Sequence, residues 1–176
     1  MIMKIDFLIL DFIQKYIKNP VFDFLMPSVS WLGNGGLIWI VAAVVLLAIP
    51  RYRKGGVVLS VGLLACLLIG NLTLKPLIAR VRPFDVVEGI ELLIKAPTDF
   101  SFPSGHTLSS AIAAAVLTMT DKRFGYVAIP LACLIAFSRM YLYVHYPTDI
   151  LGAIVIAAII STAIYFIFFK KKSSLK

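Results

Sequence analysis

The chain contains two histidines, His106 and His145, and each sits among residues suited to chemistry. The stretch Ser138-Arg139-Met140-Tyr141-Leu142-Tyr143-Val144-His145-Tyr146-Pro147-Thr148-Asp149 sets an arginine, a histidine and an aspartate in apolar surroundings. His145 and Asp149 are four residues apart, close to one helical turn, so the carboxylate can reach back toward the imidazole. Arg139 closes one apolar run and Asp149 opens the next, as groups do when they meet at the mouth of a helix bundle. Arg139 offers a planar fork suited to phosphate oxygens. His145 offers a nucleophile or a base, and Asp149 a group that fixes its tautomer through the distal nitrogen. A plain Arg–Asp pair tying two helices is the structural alternative.

Two further groupings add to this one. Pro103-Ser104-Gly105-His106-Thr107 opens an apolar run, and proline then serine there reads as a helix N-terminus. Such an end presents unpaired N–H groups to an anion, and Gly105 permits close approach. An imidazole in the first turn of a membrane helix is costly unless it is used. Lys75 and Arg82-Pro83 lie seven residues apart, near two helical turns, with Arg80 between them and Pro76 interrupting the register. Cations at a membrane edge also snorkel to headgroups, so this pair is ambiguous alone.

Together these residues comprise three cations, a helix N-terminus, two histidines and one carboxylate. Cations and N–H groups neutralise the equatorial oxygens of a phosphoryl group. Two histidines supply in-line attack and leaving-group protonation. No metal and no cofactor is expected: magnesium sites want several carboxylates, and neither HExxH nor paired cysteines occur.

The elements that must position these residues are membrane helices. Of 176 residues 60% are hydrophobic, and the mean hydropathy is +0.95, far above a soluble domain. Residues 4–18 carry Ile5, Leu8, Phe12, Ile13, Tyr16 and Ile17 at helical spacing and read as an interfacial helix. Asn19-Pro20 ends it, and a second short helix is expected before Gly33-Asn34-Gly35-Gly36. Spans are expected at 37–49 (with part of 30–36), 57–74, 104–119, 126–138 and 150–169. The fold class is therefore all-α, a polytopic bundle of about five spans behind short N-terminal helices.

The net charge of +8 falls in clusters at Arg51–Lys54, Lys122–Arg123 and Lys170–Lys172, a positive-inside pattern rather than a nucleic-acid surface. Parity then places 75–103 and 139–149 together on the extracytoplasmic side. One domain is expected over 1–176: N-terminal helices to 36, a membrane core over 37–169, an active-site loop at 75–103, and a basic cytoplasmic tail at 170–176. Cys66 and Cys133 lie in apolar runs and read as free thiols. Tyr141, Tyr143 and Tyr146 read as interfacial belt residues.

Lys75-x6-Arg82-Pro83, Pro103-Ser104-Gly105-His106 and Ser138-Arg139-x5-His145-x3-Asp149 resemble, in order and spacing, the three-part signature of the type 2 phosphatidic acid phosphatase superfamily. That group includes membrane lipid phosphatases and soluble vanadium haloperoxidases. The resemblance implies that His145 attacks phosphorus to form a phosphohistidine, that His106 protonates the leaving oxygen and later activates water, and that Asp149 orients His145. It implies phosphate-binding roles for Lys75, Arg82, Ser104, Gly105 and Arg139, without a metal.

A site at a membrane face suits an amphiphile whose tail stays in lipid, so the expected partners are a lipid phosphate and the bilayer. The small size resembles bacterial enzymes that act on undecaprenyl pyrophosphate. Phosphatidylglycerol phosphate, phosphatidic acid and diacylglycerol pyrophosphate are the alternatives. Loop 84–100, with Asp85, Glu88, Glu91 and Lys95, is either a head-group selector or a solvated connector. A lipid transporter or flippase would show inverted repeats or paired broken helices, which are not evident. An intramembrane serine protease using Ser104 would not need three converging cations.

Overall fold

The computed structural model describes residues 2–169, and the basic cluster and tail expected at 170–176 lie outside the described residues. Helix α1 (Ile2–Phe12) runs into a wider π-type turn, Ile13–Ile17. Asn19 then caps α2 (Pro20–Leu32): its side-chain oxygen accepts from the Val21 and Phe22 amides, and Pro20 supplies a helix-ready φ at the first position. Gly35 and Gly36, at φ 58° and 72°, turn the chain into α3 (Leu37–Ala48). A short turn at Pro50–Tyr52 leads to α4 (Arg53–Ala65), which continues through π-type turns at Cys66–Leu74 into α5 (Lys75–Ile78). After the short α6 (Pro83–Val86) come α7 (Gly105–Thr120), α8 (Lys122–Tyr141) and α9 (Pro147–Ile164). The described residues contain no strand.

Helix α7 is the hub and packs against α4, α8 and α9. Leu108, Ile112, Ala113 and Val116 on it are fully buried. Glycines on α4 permit the close approach: a Cβ at Gly62 would meet Ile112 at 2.7 Å, and one at Gly55 would meet Thr120 at 2.4 Å. The outer faces are apolar and exposed, through Val41, Val44, Val45, Ile154, Val155 and Ile159 among others. A soluble domain would not leave such faces uncovered; hydrocarbon covers them here.

Three helical stretches are long and apolar enough to cross a bilayer: Pro50–Val86, Lys122–Tyr141 and Pro147–Phe169. A fourth forms if Pro20–Leu32 and Asn34–Ala48, bent by 44° at the glycines, make one span. The stretch expected to cross at 104–119 is α7, whose 16 residues cover about 24 Å, short of the roughly 30 Å hydrocarbon core. Neighbouring helices rather than lipid surround it.

The basic turns gather at one end of the bundle. Tyr52 Oη donates to Asp121 at 3.2 Å, its ring meets Phe124 at 5.1 Å, and Lys54 lies over the Phe169 ring. At the opposite end lies α1, and there one expectation, the tyrosine belt, fails. The stripe of α1 buried in protein is Asp6, Leu10 and, in the following turn, Ile13, while Ile5, Leu8, Phe12 and Tyr16 are exposed. In a bilayer the apolar face can point outward, so the polar residue marks the inward one. Tyr141, Tyr143 and Tyr146 form no belt; all are buried. Tyr141 Oη donates to Asp23 at 2.7 Å and Tyr143 Oη to Asp11 at 3.0 Å, pinning the N-terminal helices onto the 138–149 segment.

Candidate active site

A cavity of about 790 Å³ opens at that end, lined by Lys75, Arg82, Gly105, His106, Arg139 and His145. One wall is apolar, with Ile40, Leu63, Leu64 and Leu67, and the other includes Lys95 to Asp99 of the long loop. Asp85, Glu88 and Glu91 do not line it.

Lys75 and Arg82 meet here without sharing a helical face. Ala79, at φ 48°, ends the helix, and Arg82 is extended. What joins them is Asp99. Arg82 Nη2 donates to Asp99 Oδ1 at 2.6 Å, its Nε donates to the Asp99 carbonyl at 2.8 Å, and the Lys75 ammonium pairs with Oδ2. Partial burial alone would raise the Asp99 pKa, but the bonds and charges of Lys75 and Arg82 outweigh it and hold the carboxyl down, to about 2. Sequence reasoning missed this acid because it lay in a stretch that reads as a connector.

His145 is 1% exposed, in the turn between α8 and α9. Its Nε2 lies 3.2 Å from Arg82 Nη1. An arginine only donates, so Nε2 carries the lone pair and Nδ1 the proton. Nδ1 in turn faces Asp149 Oδ2 at 3.5 Å and has no closer partner. Burial, then the charges of Arg82, Arg139 and Lys75, push the His145 pKa well below 6.5, so the ring is neutral at ordinary pH.

Asp149 is fully buried behind this ring. Its Oδ2 accepts from Ser101 Oγ at 2.5 Å and from the Tyr146 amide at 2.9 Å; its Oδ1 accepts from Arg80 Nη1 at 2.6 Å. Neither Ser101 nor Arg80 was assigned a role from sequence. Arg80 carried one signal, a charge between two candidate cations in an apolar stretch, where any charge needs a partner.

The remaining predicted residues divide. Ser104 caps α7, its Oγ accepting from Thr107 Oγ1 at 3.0 Å, and it does not line the cavity. Gly105 does, and a Cβ there would meet Asn71 Oδ1 at 2.9 Å, so the residue is constrained by packing as well as by access. His106 Nε2 lies 2.9 Å from Asn34 Oδ1, a partner from the glycine turn before α3 that sequence spacing did not indicate. Arg139 is 3% exposed; it donates to Ser30 Oγ, while its Nε has no partner in the protein. Among the described residues, no three His, Cys, Asp or Glu side chains are grouped so as to hold a metal ion.

Residues 54–173 match the family model described as the PAP2 superfamily, and the chain belongs to that superfamily. It is a multi-pass membrane protein of this class. It is 34% identical over 125 residues to an undecaprenyl-diphosphatase of Sulfolobus acidocaldarius, covering 70% of this chain and 60% of that one. The chain thus spans less than two thirds of that relative's length. It is 30% identical over 156 residues to the undecaprenyl-diphosphatase BcrC of Bacillus subtilis, covering 86% of this chain and 76% of the relative. Its fold matches the crystal structure of a transmembrane PAP2 type phosphatidylglycerolphosphate phosphatase from Bacillus subtilis with a TM-score of 0.68 and 26% identity, covering 89% and 82% of the two chains.

Proposed function

We propose that the chain is a lipid phosphatase that removes a terminal phosphoryl group through a phosphohistidine on His145. The observation carrying this reading is one cavity that joins two imidazoles and the cations of Lys75, Arg82 and Arg139 to an apolar wall. His145 Nε2 attacks phosphorus, the bond to the bridging oxygen breaks, and that oxygen takes a proton from His106. The neutral His106 then accepts a proton from water, whose oxygen attacks phosphorus, breaking the P–N bond and releasing phosphate. Lys75, Arg82 and Arg139 neutralise the non-bridging oxygens, the Gly105 end of α7 adds backbone donors with Ser104 holding the cap, and Asp149 keeps Nδ1–H oriented.

The favoured substrate is undecaprenyl pyrophosphate, cleaved to undecaprenyl phosphate. The names of two relatives and the cavity's mixed lining support it. Phosphatidylglycerol phosphate, phosphatidic acid and diacylglycerol pyrophosphate are the other substrates to be tried. We place the site and the 75–103 loop on the extracytoplasmic side, because the basic turns lie at the other end of the bundle.

The test is phosphate release by purified protein in detergent with EDTA, across these lipids, for wild type and His145→Ala. Release that survives EDTA and vanishes in His145→Ala is expected. Release that persists in His145→Ala, or none from any lipid by folded wild type, overturns the reading; the second result would favour a transporter.

A further inference from the structure

We propose that Asp6 and Arg80 are positioning residues of this reaction, forming a relay Asp6–Arg80–Asp149 that sets the orientation and charge of the carboxylate behind His145. The inference rests on the proposed role of His145. It makes the N-terminal helix, which precedes the residues matched by the family model, a working part of the site.

The geometry is continuous. Asp6 is 1% exposed on α1, and its Oδ2 accepts from Arg80 Nη2 at 2.7 Å and from Thr148 Oγ1 at 2.6 Å. Its Oδ1 accepts from the Thr148 amide at 3.0 Å, which anchors α1 to the first turn of α9. Arg80 spends its other terminal nitrogen on Thr148 Oγ1 and Asp149 Oδ1, at 2.7 and 2.6 Å. Its guanidinium lies 3.9 Å from the Tyr146 ring centroid, which fixes the plane of the fork. A carboxylate buried on an N-terminal helix requires such partners merely to exist there. What makes the arrangement more than structural is its end point: Arg80 holds the Asp149 oxygen that does not face His145, leaving the other aimed at the imidazole.

The signs of charge alternate along the relay, so its two members act on His145 in opposite directions. Arg80 withdraws negative potential from Asp149, and Asp6 in turn offsets Arg80. The ring is otherwise faced by Arg82, Arg139, Lys75 and His106, with Asp99 beyond Arg82 and Lys75. Asp85 stands near the Tyr146 side of the relay. Removing Arg80 leaves Asp149 and Asp6 unneutralised and favours imidazolium. Removing the Asp6 charge leaves Arg80 unopposed and disfavours it.

The experiment is the pH dependence of kcat/KM for phosphate release from a lipid diphosphate by the full chain. Its acid limb reports protonation of the free enzyme's nucleophile. Arg80→Gln is expected to move that limb up by about one pH unit and Asp6→Asn to move it down by about half a unit. Arg80→Lys should keep it near the wild-type position. Both charge-removing variants should lose kcat roughly tenfold through misplacement of the ring. A purely structural role would lower activity without opposed shifts. Limbs that stay put, or move the same way, in folded variants overturn the relay. If Asp6→Asn is not recovered folded, the contrast between Arg80→Gln and Arg80→Lys decides alone. Activity surviving in His145→Ala would sink the phosphohistidine reading and the relay with it; an inactive His145→Ala with unmoved limbs would sink the relay only.

Discussion

The two sides of His145 are built differently. Toward the cavity stand Lys75 and Arg82, whose shared partner Asp99 has a side chain 55% exposed, and Arg139, whose Nε has no protein partner at all. Behind the ring, Asp149 and Asp6 are 0% and 1% exposed, and both oxygens of each carboxylate are bonded. The difference fits the roles proposed for the two sides. Groups that receive a phosphoryl group need partners that can be exchanged for its oxygens. Groups that hold a nucleophile's tautomer need partners that never leave, because a buried charge without its bonds is costly to keep.

The largest effect should come from breaking the rear. Asp149→Asn puts an amide where two donors and Arg80 converge, so one N–H must face another donor and the aim of Nδ1 is lost. A fall in kcat of roughly three to four orders of magnitude is expected, as when a carboxylate orienting a catalytic histidine is replaced. A kcat within tenfold of wild type would mean that the rear is not the rigid side.

On the cavity side the effects should be graded. Arg139→Lys keeps the charge and loses the fork, so kcat/KM should fall by roughly 10- to 100-fold, the worth of one charged hydrogen bond. Activity equal to wild type would remove Arg139 from direct contact with phosphate.

The smallest effect, and the most informative in sign, belongs to Asp99→Asn. In the proposed site the carboxylate competes with phosphate for Lys75 and Arg82, so a neutral amide should let vanadate or inorganic phosphate inhibit a few-fold more tightly. Weaker inhibition would show instead that Asp99 holds the two cations in place. Because its folded pKa, about 2, lies below that of a free aspartate, this ion pair stabilises the fold above about pH 4 and is lost as pH falls toward 2. Wild-type thermal stability should therefore decline with acid through that window more steeply than that of Asp99→Asn.

Much of this was legible because it is local. The starts of α7 and α9 follow from Pro103-Ser104 and Pro147, and the apolar runs give the helices between them. The nearness of His145 and Asp149 follows from their spacing in one turn of chain. The spacing of Lys75 and Arg82 would align them only on an unbroken helix; the helix stops at Ala79, and a loop aspartate gathers them instead. Asp99, Ser101, Asn34 and Asp6 were not legible, since each lies in a stretch whose pattern describes a connector, a turn or an amphipathic helix.

Residue chemistry and helix periodicity are properties of neighbouring positions, and by themselves they determined the membrane bundle and picked out the motif residues. Which carboxylate answers which cation was decided only when the fold closed. Asp6 and Asp149 are separated by most of the chain and meet on one guanidinium, because burying three charges at the end of a helix bundle is tolerable only where they find one another.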